Sequence, residues 1–285
     1  MGILATLFFF ALGAIIGSFL NVVVLRYNTG GGFRDRSRCF SCGKELKWYD
    51  LVPVLSFLFL KGRCRCCKSK ISFQYPLVEL LTGLIFAAAF WQILSFRVSS
   101  DIFSIFYFLF SIDLIVLSLL IVIAVYDIKH KIIPDSLVFL FGVLALVKLF
   151  LTTEFSALLR LPHLLDLLAG PILALPLFLL WLISGGRWIG LGDAKLALGI
   201  GWFLGFSLGI SSMVLGFWIG AVVSASLIVF SKLARIGLAR RALLNVGLKN
   251  LTMKSEVPLA PFLILGFMVV YFFRIDVVGL GALGM

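Results

Sequence analysis

Charge is scarce in this sequence. Asp, Glu, Lys and Arg make up 13% of the 285 residues, against 62% hydrophobic, and the mean hydropathy is +1.15. So little charge excludes a water-soluble fold. Over residues 196–231 charge is missing altogether. A helix of that length would run about 54 Å at about 1.5 Å per residue, too long for one crossing of a hydrocarbon layer about 30 Å thick. Internal repeats and low-complexity segments are missing too. The first apolar stretch, residues 4–25, has no charged residue ahead of it and no small-residue cleavage site followed by a soluble domain. It is expected to be a retained span rather than a signal peptide.

What the chain does have is a series of apolar runs. Further spans are expected at 76–96, 103–126, 132–151 and 164–183, the last interrupted by Pro171 and Pro176. The uncharged run is expected to cross twice, turning between Gly205 and Gly209, before a final span at 257–273. The fold class predicted is an all-α polytopic membrane protein of about eight transmembrane helices. Its basic residues outnumber acidic ones, 25 to 13. Residues 26–70 hold 11 of them, Lys129 and Lys131 two, Arg187 and Lys195 two, and 232–254 six, which accounts for 21 of the 25. Loop Lys and Arg mark the cytoplasmic side, so these four groups are predicted to face the cytoplasm. Basic loops of this kind set topology in lipid, and no nucleic-acid partner is expected.

All five cysteines fall between the first two spans. Cys39-Phe40-Ser41-Cys42 and Cys64-Arg65-Cys66-Cys67 form two CxxC pairs with 21 residues between them. That spacing suits four thiolates around one tetrahedral zinc ion, with Cys39, Cys42, Cys64 and Cys67 as ligands. Cys66 is either spare or a replacement for a neighbour. The odd cysteine count and the reducing side of the membrane argue against disulfides. Gly43, just after the second cysteine, suits the positive φ of a metal knuckle. Four thiolates leave zinc no open position, so the site is structural and chemistry lies elsewhere.

Two aspartates provide it. Asp127 closes the third span in Tyr126-Asp127-Ile128-Lys129-His130, and Asp193 sits in Gly190-Leu191-Gly192-Asp193-Ala194-Lys195. Taken singly, each is more often an interfacial charge beside a lysine. Together, on one membrane surface, two carboxylates share a proton and supply both the base that activates water and the acid that protonates a departing amine. Glycines before Asp193 let a substrate backbone approach. His130 is expected to be a solvated loop residue, and Asp135 a helix cap after Pro134.

These motifs resemble those of the type IV prepilin peptidases, bacterial members of the GxGD aspartyl proteases. Gly17-Ser18-Phe19-Leu20-Asn21-Val22-Val23 with Arg26, the paired CxxC motifs around Trp48-Tyr49-Asp50, and Gln74-Tyr75-Pro76-Leu77-Val78-Glu79-Leu80 carry the resemblance, together with Asp127 and the GxGD segment. After Arg26 the chain departs from it, with Tyr27-Asn28 and then Gly30, Gly31 and Gly32. The resemblance implies a multi-pass enzyme of the bacterial inner membrane. It implies removal of the leader peptide of type IV prepilins or pseudopilins at the cytoplasmic face, with Asp127 and Asp193 as catalytic residues. It further implies methylation of the new amino terminus with S-adenosylmethionine.

Glu79 is expected to help hold the methyl donor or the new amino group, or else to pair with a loop arginine. The domains expected are a first transmembrane helix at 1–26, a cytoplasmic zinc-binding domain at 27–74 and a transmembrane peptidase core at 75–285. Two other functions compete. A proton-coupled transporter predicts midplane carboxylates and an inverted repeat, and a non-catalytic zinc-domain scaffold predicts that both aspartates are dispensable.

Overall fold

The computed structural model describes residues 2–27, 36–94, 103–153, 161–235 and 258–279. The Gly30 to Gly32 run and most of the last basic group lie outside them. The described elements are helical, with no strand among the described residues. They are α1 (Gly2–Arg26), α2 (Leu55–Phe59), α3 (Gln74–Leu94), α4 (Phe103–His130), α5 (Asp135–Thr152), α6 (Leu161–Ser184), α7 (Leu191–Leu204), α8 (Phe206–Arg235) and α9 (Ala260–Phe273). Six of these, α1, α3, α4, α5, α6 and α8, are long and apolar enough to cross a membrane. The other two expected crossings correspond to α7 and α9, each of 14 residues. The uncharged run does break where glycine permits it, at Gly205, whose φ is +79°.

Packing divides the chain into two compact units, 1–125 and 126–285. In the N-terminal unit, α1 lies along α3. Gly13 and Gly17 make this possible: a Cβ on Gly13 would stand 2.7 Å from the Thr82 carbonyl oxygen, and one on Gly17 2.8 Å from the Glu79 Cα. One turn on, buried Asn21 donates to the carbonyls of Gly17 and Tyr75, at 3.3 and 3.2 Å. A stripe of small residues ending in an amide is how helices approach closely where no water drives them together. Half of the Gly17 to Val23 motif and the Tyr75 to Glu79 motif are thereby two sides of one interface.

In the C-terminal unit the short helix α7 is central, packing on α5, α6, α8 and α9. Again its small residues admit the neighbours. A Cβ on Gly199 would stand 2.5 Å from the Phe141 ring, and one on Gly201 2.6 Å from the Ala169 backbone. Beyond Leu204 the chain doubles back, and the Asp166 carboxylate caps α8 by accepting the Phe206 N–H at 2.9 Å.

Candidate active site

The cysteine segment of the N-terminal unit contains two similar knuckles. In the first, the Cys39 amide donates to the Lys44 carbonyl and the Gly43 amide to the Cys39 carbonyl. In the second, the Cys64 amide donates to Ser69 and the Lys68 amide to Cys64. An isolated bridge brackets each, Arg38 with Glu45 and Arg63 with Lys70. Gly43 and Lys68, the residues after the second sulfur of each knuckle, both take positive φ, +67° and +60°. By this equivalence Cys67 stands where Cys42 does, and Cys66 is outside the cluster. The sulfurs of Cys39, Cys42, Cys64 and Cys67 all lie within 4.8 Å of one another.

That donor set fits zinc. Tetrahedral bonds of about 2.3 Å would put sulfurs about 3.8 Å apart, and those of Cys39 and Cys67 are 3.7 Å apart. Amides of Cys42 and Ser41 and the Ser69 hydroxyl pull the Cys39 thiol down to about 6, toward the thiolate that a metal binds. The Lys44 amide acts in the same sense on Cys42, but burial and the neighbouring thiols outweigh it and push that group up to about 12. A dication among the four removes this mutual repulsion.

Glu79, on the first turns of α3, is buried at 7% exposure. Its Oε2 accepts the Val54 N–H at 2.7 Å, and the Ser18 hydroxyl is a second donor. A loop arginine is not its partner among the described residues.

Both aspartates lie in the C-terminal unit, where the structure brings them together. Asp127 is on the last turn of α4 and Asp193 on the first turn of α7, at 5% and 7% exposure. Their carboxylates are near enough for each charge to act on the other. Two observations separate them from ordinary interfacial charges. Lys195 does not pair with Asp193; its Nζ meets Asp135 at 2.7 Å. Lys129 is exposed. The donors to the pair are instead backbone amides, Ala260 to Asp127 and Gly190 to Asp193. The second is half of a capping box, in which the third residue of a helix reaches back to its N-cap amide. Asp193 Oδ1 is buried and has no partner among the described residues, which leaves one polar atom for a substrate or water.

Two contacts set this arrangement. Gly192 packs against Ile133, whose Cβ would lie 2.7 Å from a Cβ at that glycine. Asp135, expected as a cap, instead ties the start of α5 to α7 through Lys195. The segment joining α4 to α5 is thus fastened to the helix that carries the other aspartate. His130 is exposed, as expected, but ends α4 with its ring 4.4 Å from that of Tyr126. Sequence reasoning missed the Ala260 amide. Its signal was Pro258-Leu259-Ala260-Pro261, since proline at the start of a helix marks a terminus with free N–H groups.

Two family models match this chain. Residues 11–93 match the bacterial peptidase A24 N-terminal domain, and residues 114–225 match the type IV leader peptidase family. A protein from Bacillus subtilis named prepilin leader peptidase/N-methyltransferase is 32% identical over 232 residues, 79% of this chain and 84% of its own length. This chain belongs to the type IV leader peptidase family. A family member of the same name from Klebsiella pneumoniae is 33% identical over 70% of this chain and 85% of its own length. Another, from Myxococcus xanthus, is 42% identical over 48% of this chain but only 38% of its own length. No solved structure matches. As a family member the chain is a multi-pass membrane peptidase, and α7, too short to have been singled out by length, is the helix on which the GxGD segment of this leader peptidase rests.

Proposed function

We propose that this peptidase removes the leader of type IV prepilins or pseudopilins at the cytoplasmic face of the bacterial inner membrane, with Asp127 and Asp193 as its catalytic pair. The observation that carries this reading is two buried carboxylates in mutual electrostatic contact, held by amides rather than by lysines. Such a pair titrates jointly and shares one proton. The ionised partner takes a proton from water as it attacks the scissile carbonyl, and the protonated partner gives one to the departing amine. The distribution of loop Lys and Arg supports the cytoplasmic placement. The substrate class follows from the relatives' names.

A second step, methylation of the new amino terminus, belongs to the same proposal, with S-adenosylmethionine supplying the methyl group when bound. Glu79 is the residue assigned to that step. Cys39, Cys42, Cys64 and Cys67 hold a structural zinc ion that fixes the two knuckles. The test is to incubate the purified chain with a prepilin and S-adenosylmethionine and to read products by mass spectrometry. Expected is a leaderless chain bearing one added methyl. An intact prepilin, with the enzyme folded, would overturn the reading.

A further inference from the structure

The segment between α1 and α3 is polar in composition, yet one part of it turns large apolar side chains outward. Trp48, Leu51, Leu55, Leu58 and Phe59 are between 41% and 82% exposed, and no residue of α2 is buried. Helical spacing puts Leu55, Leu58 and Phe59 on one side of α2, and Ser56, Phe57 and the C-cap Leu60 on the other. The second side looks inward: its residues line the unit's cavity, and the Phe57 ring meets that of Phe73 at 6.1 Å. An outward apolar face of the first kind marks a surface that meets protein or lipid.

Three observations favour lipid. The first is depth. Val54, the residue ahead of α2, donates its amide to Glu79 Oε2 at 2.7 Å. Glu79 lies past Gln74, where α3 begins, by about 7.5 Å along the axis at about 1.5 Å per residue. Even with the carboxylate leaning toward the helix start, α2 is held beside the end of a span and not out in water. The hold keeps Val54, a β-branched residue, at a φ of +60°. The second is charge. Residues 47–65 carry four cations, Lys47, Lys61, Arg63 and Arg65, against one acid, Asp50, which is taken up by Arg65 at 2.8 Å. No carboxylate pairs with Lys47, Lys61 or Arg63 among the described residues. The third is residue type. Trp48 and Tyr49 are the side chains that gather at membrane interfaces. A groove of about 360 Å³ is lined by Tyr49, Val52, Leu55 and Phe59 together with Arg65, apolar walls and a cation such as an acyl chain and its phosphate require.

We propose that Trp48, Leu51 and α2 form an interfacial foot, resting at the boundary between headgroups and acyl chains, with anionic phospholipid as the partner of Lys47, Lys61 and Arg63. The foot is joined to the second cysteine knuckle by hydrogen bonds, the Gly62 amide to the Phe57 carbonyl and the Ile71 amide to that of Gly62. It therefore also sets how far that knuckle stands from the membrane.

The test uses the full chain in nanodiscs of phosphatidylcholine and phosphatidylglycerol, with a trace of either lipid bearing a diazirine near its acyl carbonyl. Adducts are mapped by mass spectrometry. Both probes are expected to label residues 48–59 in the absence of prepilin, and the anionic probe to be enriched there about fivefold over its level on α1 and α3. Lys47→Gln, Lys61→Gln and Arg63→Gln combined should abolish that enrichment while the zwitterionic probe still labels. Trp48→Ser with Phe59→Ser should lower labelling by both probes severalfold, with zinc content unchanged.

Residues 48–59 free of adducts from both probes overturn the proposal. Equal labelling by the two probes, unaltered in the triple variant, overturns the anionic partner. Labelling lost when two chains share a nanodisc gives the face to a second copy, and labelling lost on addition of prepilin gives it to the substrate; either result also overturns the foot. The wild-type map and the triple variant decide the question even where the double variant fails to fold.

Discussion

The two cysteine knuckles and the aspartate pair are assembled in opposite ways. Each knuckle is local: both sulfurs, the amides that turn toward them and the positive-φ residue lie within a few positions. Only the meeting of the two knuckles is long-range. Of the two aspartates only Asp193 takes a donor from its own segment, the Gly190 amide, and the rest of the arrangement is long-range. Asp127 takes its amide from Ala260, and Asp193 reaches its place because Gly192, Gly199 and Gly201 let α7 in among larger helices. A metal site of this kind is therefore encoded by spacing, and a membrane-embedded pair by the small residues that decide how close helices come.

The comparison yields predictions of decreasing size. Asp127→Asn or Asp193→Asn keeps the side-chain volume and removes the acid, and should lower prepilin cleavage by about 1,000-fold with no change in thermal unfolding. Retained activity in either would return that residue to an interfacial charge. Next, Cys64→Ser should reduce bound zinc to background by elemental analysis, while Cys66→Ser leaves it unchanged, as a cysteine outside the cluster must. Zinc lost with Cys66→Ser and kept with Cys67→Ser would show that the second knuckle is read in the wrong register.

Packing changes come third. Gly199→Leu drives a side chain into Phe141 and should destabilise the protein by about 1–3 kcal/mol, with cleavage falling while zinc content holds. Equal cleavage in that variant would mean that the pair does not depend on the depth of α7. The smallest effect belongs to the exposed Lys195–Asp135 pair, where Asp135→Ala should cost about 0.2–1 kcal/mol. Exchanging the two charges, Asp135→Lys with Lys195→Asp, should recover most of it in a thermal melt.

How much of this was legible in the sequence follows from the same distinction. The apolar runs gave the helices, the uncharged stretch broke at Gly205, and the CxxC spacing pointed to four sulfurs that do cluster. Asp127 and Asp193 stood out through motif and topology. The partners did not. Nothing near Asp127 points to Ala260, nothing near Glu79 to Val54, and Lys195 looked like the natural partner of Asp193 when it reaches Asp135 instead. Each of these is a contact between separate segments, fixed by backbone direction and by which glycine faces which ring. Periodicity and spacing carry no record of that. The final crossing, expected over 257–273, begins only at Ala260, whereas α7 begins at Leu191, ahead of the uncharged run, so that its first turn carries Asp193.

The most direct test of a shared proton is a double-mutant comparison. Asp127→Asn, Asp193→Asn and the double variant are assayed for leader removal under single-turnover conditions. If the carboxylates act as one unit, the double variant is no slower than either single, since the first substitution has already removed the pair. Losses that multiply, so that the double variant falls by the product of the two single effects, would show two groups acting independently and would contradict the account.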